Sequence, residues 1–553
     1  MASSVFRSRW MLALTIVLVV CGVVIAGAYG RLSSSLPRIT GALAVQVSET
    51  VVVERDQDGV PTITAQNEAD LSFAVGFVHA QERYFQMDLL RRAGAGELAA
   101  LLGPSVVGVD RDRRRHRFRW RARQAIERLS PVERAVVSAY TSGVRAGLAD
   151  LWAPPFEYDL LGVDPAPWQD EDIYCVAYAM FFTLQDASGE AELRRALIEK
   201  ALPASLAALV LSPGSKWDAA IDDSVLALPS VPGSFEGPER TGSNKGSSEP
   251  VSPLAAPPPE PGSNNWAVSG RLSTHGGAIV ADDMHLMLRM PNIWFRVRVR
   301  IEGEDDFDST GVTLPGTPVI IAGSNGDIAW GFTNAFVDTS DLVVIEPGPS
   351  PGTYQTPDGL ARIKRIESQI EVRGAAAKTL VVEETIWGPI VGRSLDGRPL
   401  ALRWTAHDLG ANNLGLRKLG RARSLEEAVA AAQAAGMPNQ NVAIAARDGR
   451  IAWTVSGLLP LRPEGCEGER PMSWADGRCA WRGYAAASQV PKVIDPEKGR
   501  LWTANNRIVG ASLRGAARYR DPSMGARARQ IKDGLWAKDR FSERDLLAIQ
   551  LDD

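Results

Sequence analysis

Pro261-Gly262-Ser263-Asn264-Asn265-Trp266-Ala267-Val268-Ser269-Gly270 is where the chain changes character. Before it, residues 229–262 are dominated by Pro, Ser, Gly, Glu and Ala, with almost no large apolar side chain. Such a segment cannot bury enough surface to offset chain entropy. After it begins strand-like sequence opening with Asn264-Asn265-Trp266. Two readings fit this border. One is a flexible linker between domains. The other is an excised spacer, which requires a reactive residue at its edge, and Ser263 stands there. Cutting the Gly262–Ser263 bond would give Ser263 a free α-amine of pKa ~8. Nucleophile and base would then belong to one residue. Gly262 has no Cβ to obstruct attack on its carbonyl by the neighbouring hydroxyl.

Working outward, 553 residues exceed one ordinary core. A 45% hydrophobic content and a net charge of −4 are ordinary globular values and give no reason to expect a nucleic-acid partner. The arginine-rich residues 111–123 read as an exposed, acid-paired helical surface rather than a phosphate site. At the amino end, Arg7 and Arg9 precede an uncharged run over residues 10–29. Twenty helical residues rise ~30 Å, enough to cross a bilayer core. The run is a membrane anchor or a cleavable signal, since Ala26-Gly27-Ala28 is a small-x-small site. Either way the remainder is placed outside the cytoplasm, in the periplasm of a two-membrane cell. Cysteines pair in such compartments. Cys466 and Cys479 suit a local disulfide, two buried thiols being the other reading, whereas Cys175 reads as a core residue.

Residues 51–64 predict two strands around an Asp58-Gly59 turn, and Asn67 predicts the N-cap of a long amphipathic helix containing His79. A lone histidine there reads as packed and hydrogen-bonded. Helical sequence continues to about residue 211, so the organisation is an export segment over 1–30, a mainly helical part over 31–228, a spacer over 229–262 and a strand-rich part over 263–553. In that last part strands are predicted over 266–272, 277–282, 294–301, 319–322 and 328–332, with a turn at Asn325-Gly326. A helix follows Ser424, and another hairpin turns at residues 447–450. These proportions predict an α+β sandwich.

The chain lacks a Gly-x-Ser-x-Gly elbow and has five histidines, so a conventional serine triad with His79, His116 or His407 as base has few candidates. The run from Ser263 to Ser269 after a glycine resembles the mature β-chain start of the penicillin acylase family. These are N-terminal-nucleophile hydrolases, and the resemblance implies a four-layer αββα fold. Residues 53–62 and 76–98 are similar to the family's α chain. The resemblance implies Ser263 as nucleophile, His285 as the residue that tunes its amine, and the backbone N–H of Asn334 with the side chain of Asn505 as oxyanion donors. Arg527 matches the arginine that steadies Asn505. Histidine at 285 leans toward the cephalosporin-acylase and acyl-homoserine-lactone-acylase branch.

The implied activity is hydrolysis of an N-acyl amide through an acyl-enzyme, by α and β chains that stay together after self-cleavage. The partner is a small N-acyl substrate such as a β-lactam side chain or an acyl-homoserine lactone. No catalytic cofactor is implied. The family's structural calcium ion maps onto Glu190, Asp338 and Asp341, whose other reading is exposed surface acids. One departure stands out. Residues 545–553 read as an amphipathic segment broken off in mid-turn, and the family's β chain continues further. The alternative expectation is therefore a truncated, unprocessed and inactive membrane-anchored remnant.

Overall fold

The computed structural model describes residues 2–212, 214–230, 262–303, 306–466, 468–511, 515–520 and 522–552. The expected spacer thus lies almost wholly outside the described residues. Upstream of it the fold is helical, as the sequence predicts. The helix Glu68–Ala95 starts at Asn67, whose side chain accepts the N–H of Asp70 at 2.9 Å. It packs along Pro131–Asp150 and Asp170–Leu184. A Cβ on Gly143 would stand 1.9 Å from the Phe73 carbonyl oxygen, so the first two of these helices approach backbone to backbone. His79 is buried where they meet the sheet. Its Nδ1 lies 2.8 Å from the Tyr140 hydroxyl and its Nε2 2.9 Å from Thr313 Oγ1. Burial lowers its pKa to about 3, so it is a neutral, satisfied core residue.

The parts before and after the spacer share one sheet. It has nine strands, in the order Val52–Arg55, Pro61–Ala65, Phe295–Ile301, Phe307–Thr313, Ile320–Ser324, Ile328–Asn334, Gln440–Ala446, Ile451–Val455 and Lys492–Ile494. The hairpin around Gly59 joins it by parallel pairing of Pro61–Ala65 with Phe295–Ile301. The expected hairpins at Asn325-Gly326 and at residues 447–450 both form. A second sheet of three strands, Arg500–Thr503, Gly262–Val268 and Ile279–His285, lies against the middle of the first.

Strand alternation separates two cores. Along Gln440–Ala446, Val442, Ile444 and Ala446 face the long helices and the helix Leu425–Ala434, while Ala445 faces the three-stranded sheet. The outer side of the small sheet is covered by the helices Ala526–Trp536 and Glu543–Gln550. The order helix, sheet, sheet, helix is the predicted αββα layering.

Some elements differ from expectation. The strand predicted over 266–272 runs instead from Gly262 to Val268, with a short 3-10 turn at Gly270–Leu272. A further six-stranded sheet, built chiefly from Ser340–Val344 and strands between Lys364 and Trp404, was not anticipated. The Cys466–Cys479 disulfide forms beside it, and Cys175 is a buried thiol. Residues 111–123 are acid-paired as expected but not generally exposed. Arg119 bridges Glu97 and Asp172, and both Arg117 and Arg121 reach Glu384 across the chain, each at less than a quarter exposure. Arg117 and Arg121 fasten the helical part to the strand-rich part. The amino-terminal helix Ala2–Ser34 contains a segment, Trp10–Ser34, long and apolar enough to cross a membrane.

The two sheets touch most closely at Gly331, where a Cβ would stand 2.4 Å from Asn265 Nδ2 and 2.6 Å from Asp282 Cβ. Both neighbours sit on strands and cannot swing aside. Gly331→Ala is therefore expected to destabilise by about 1–3 kcal/mol, read as a lower melting temperature; an unchanged melting temperature would show that the sheets can part freely.

Candidate active site

The strand Gly262–Val268 is central in the small sheet, and alternation gives its two faces different company. Ser263 and Asn265 face inward to the nine-stranded sheet; Gly262, Asn264 and Trp266 face the outer helices. Ser263 is 6% exposed. Its inward hydroxyl meets the end of the strand Ile328–Asn334. The ladder from that strand to Ile320–Ser324 reaches only as far as Trp330. The N–H groups of Phe332 and Asn334 beyond it are free for other partners. Phe332 N–H donates to Asp282 Oδ1 at 3.0 Å, and Asn334 N–H to Ser263 Oγ at 3.1 Å.

A second donor reaches the same hydroxyl. Asn505 Nδ2 lies 3.2 Å from Ser263 Oγ and 3.0 Å from the Asn334 carbonyl oxygen. Its other amide atom, Oδ1, accepts from Ser263 N–H at 2.7 Å and from Arg527 NH2 at 2.9 Å. Because arginine can only donate, Arg527 fixes which end of the amide faces the serine. Asn505 holds a left-handed φ of 64°, which asparagine tolerates better than most residues, just past the strand Arg500–Thr503. Arg527 also donates to the Ser263 carbonyl at 2.9 Å and to Asn264 Oδ1 at 2.5 Å. Burial lowers its pKa, with Asp283 the carboxylate opposing that shift.

The role expected of His285 is toward the Ser263 amine and not toward its hydroxyl. His285 pairs with Gly262 in the ladder and lies on the outer face, so the strand itself separates it from Ser263 Oγ. The hydrogen bond from Ser263 N–H goes to Asn505, and His285 Nε2 instead lies 2.8 Å from Asp283 Oδ2. Sequence reading passed over Asp283 and Asn264, although a period of two already put residues 283 and 285 on one face. It also passed over Asp282, buried between the sheets, whose carboxyl burial pushes up to about 7.

Beside Ser263 opens a cavity of about 120 Å³ with no charged residue in its wall. One side is a helical stripe of Ile173, Ala177, Met180 and Leu184; Trp294 and Phe332 lie among the others. That 3- and 4-residue spacing looked like ordinary core packing in the sequence. The volume is near the ~150 Å³ that holds a benzene ring in an apolar cavity.

The calcium residues are not brought together as a metal site. Glu190 is exposed at the start of the helix Glu190–Ala201. Asp338 and Asp341 are buried, and two arginines take their carboxylates. Arg462 lies 3.0 Å from Asp338 and 2.9 Å from Asp341, and Arg520 pairs with Asp338 and, at 3.0 Å, with Glu192. Trp481 Nε1 also donates to Asp341. Among the described residues no three His, Cys, Asp or Glu side chains are grouped to hold a metal. Guanidinium charge occupies the place a divalent cation would need, so this donor set does not fit calcium.

A serine at the start of an inner-sheet strand, two converging donors and αββα layers define an N-terminal-nucleophile hydrolase arrangement. The chain belongs to the penicillin amidase family, whose model matches residues 50–553. It is 32% identical to a Pseudomonas penicillin acylase 2 proenzyme, over 94% of this chain and 67% of that protein. To the acyl-homoserine lactone acylase QuiP of Pseudomonas aeruginosa it is 29% identical, over 94% and 62%. A solved penicillin G acylase from Alcaligenes faecalis aligns with a TM-score of 0.45 at 21% identity, over 52% of this chain and 51% of that one. The chain spans a little under two thirds of the length of most of the curated relatives it matches.

The arginine-filled acidic cluster yields two outcomes. A chelator is expected to leave the melting temperature unchanged, whereas a tightly bound calcium ion would add stability that chelation removes. Arg520→Met strands buried carboxylates and is expected to cost about 3–5 kcal/mol, measured by denaturant unfolding.

Proposed function

We propose that this chain is an exported amidohydrolase that matures by self-cleavage at Gly262–Ser263 and then hydrolyses small N-acyl amides. The observation that carries this reading is the convergence of Asn334 N–H and Asn505 Nδ2 on Ser263 Oγ. Donors gathered this close to the nucleophilic oxygen are within reach of the carbonyl oxygen that becomes negative when Ser263 Oγ attacks, which is the oxygen an oxyanion hole must hold.

In maturation, Ser263 Oγ attacks the Gly262 carbonyl carbon. The C–O bond forms, the C–N bond breaks, and the Ser263 nitrogen takes the proton. Water then hydrolyses the ester, leaving a Gly262 carboxylate and a free α-amine. In turnover that amine accepts the Oγ proton as the hydroxyl attacks the substrate carbonyl. The proton passes to the leaving amine, and water resolves the acyl-enzyme through the reverse transfer. Arg527 holds Asn505 in its donating orientation throughout. Assembly of these groups within the chain favours this reading over an inactive remnant.

The uncharged cavity beside Ser263 suits an apolar acyl group, aryl or alkyl, and offers nothing to pair a carboxylate or ammonium there. Relatives named for penicillin and for acyl-homoserine lactones both fit that chemistry. The amino-terminal helix supports an extracytoplasmic location, with the membrane as a partner through an anchor or during export.

Ser263→Ala is expected to abolish cleavage and turnover together, read by intact mass and amino-terminal sequencing; two fragments from that variant would exclude Ser263 as nucleophile. Asn505→Ala is expected to slow maturation and to lower kcat by about 10²–10³. Ala177→Phe fills the cavity and is expected to raise KM for long acyl chains more than for acetyl. An equal effect on both would place the acyl group elsewhere.

A further inference from the structure

We propose that Asp283 is a positioning residue of this site: it holds His285 as the Nε2–H tautomer, so that an unprotonated Nδ1 faces the Gly262–Ser263 junction. The inference rests on Ser263 being the nucleophile.

Asp283 and His285 stand two residues apart on the strand Ile279–His285 and therefore on one face. Asp283 Oδ2 lies 2.8 Å from His285 Nε2. A carboxylate only accepts, so the hydrogen must sit on Nε2. In the neutral ring the other nitrogen is then a lone-pair acceptor. Nδ1 lies 3.1 Å from where a Cβ on Gly262 would stand, so it faces the residue whose carbonyl carries the scissile bond. Ser263 Oγ is on the opposite face, which rules out His285 as its direct base. An acceptor beside the junction can instead take an N–H of the α-amine that cleavage creates, and this favours the neutral amine oriented as a base.

The carboxylate is itself held. Arg527 donates to Asn264 Oδ1, which leaves Asn264 Nδ2 as a donor aimed at Asp283 Oδ2, 3.4 Å away. Arg527, Asn264, Asp283 and His285 form one chain of contacts from the oxyanion arginine to the histidine. The hydrogen bond from His285 is also the main reason that the Asp283 carboxyl lies below its usual range.

The test is a double-mutant cycle in the full chain with Asp283→Asn, His285→Gln and both. Fragment appearance by mass is followed together with kcat and KM on an apolar N-acyl amide. An asparagine amide can donate to Nε2 and drive the hydrogen to Nδ1, where it donates to the amine's lone pair and competes with the Ser263 hydroxyl for it. Asp283→Asn is therefore expected to lower kcat about 10- to 100-fold with little change in KM. Glutamine has no tautomers, so in the His285→Gln background the same change is expected to have less than about a twofold effect, giving strong coupling. A loss of equal size in both backgrounds would mean that Asp283 acts only through Asn264 and would overturn the proposal. So would wild-type kcat in Asp283→Asn. Ser263→Ala separates the two levels: if that variant is still cut, the nucleophile assignment fails, and if it is uncut while Asp283→Asn matches wild type, only the role of Asp283 fails.

Discussion

The site depends on the alternation of a single strand. Between Gly262 and Val268 the backbone is extended and shared by two neighbours, so successive side chains must point to opposite sides. Ser263 is thereby turned into the space between two sheets, and Gly262 and Asn264 toward the outer helices. Shifting the register by one residue would exchange these faces and dismantle the site. The neighbouring strands supply the rest through the same rule. Thr503 lies opposite Asn265 and brings Asn505 to the serine, and His285 lies opposite Gly262.

Electrostatic positioning supports this backbone frame. Arg527 fixes the Asn505 amide from one side of the strand and Asn264 from the other, so one cation orients both the oxyanion donor and the route to His285. Further out, Arg520 and Arg462 neutralise Asp338, Asp341 and Glu192 beneath the segment that follows Asn334. Arg520 N–H also bonds the Phe336 carbonyl at 2.7 Å, which ties that cluster to the strand end carrying the backbone donor. A guanidinium supplies fixed directions where a bare ion would supply only charge.

Much of this was legible in the sequence, for local reasons. Asn67 was legible by its capping spacing, the hairpins by their turn residues, and the strand that opens at Gly262 by the change of pattern at Ser263. Asn334 and Asn505 were legible only through family resemblance, because their donor roles arise from where two distant strands end. His285 was found by the same resemblance and its partner missed, since Asp283 matters through the face it shares. The six-stranded sheet went unread because its strands, such as Lys364–Ile370, are largely exposed and lack a clean apolar alternation. For Asp338 and Asp341 a motif shows carboxylates but not the arginines, at 462 and 520, that fold onto them.

The most direct measurement is to acylate the purified protein with a slow active ester and locate the adduct by peptide mass mapping. A single modification on the side chain of Ser263, in a fragment that begins with Ser263 and keeps a free α-amine, is the predicted result. An adduct on another residue, or on Ser263 within an uncut chain, would contradict an amine-assisted N-terminal serine.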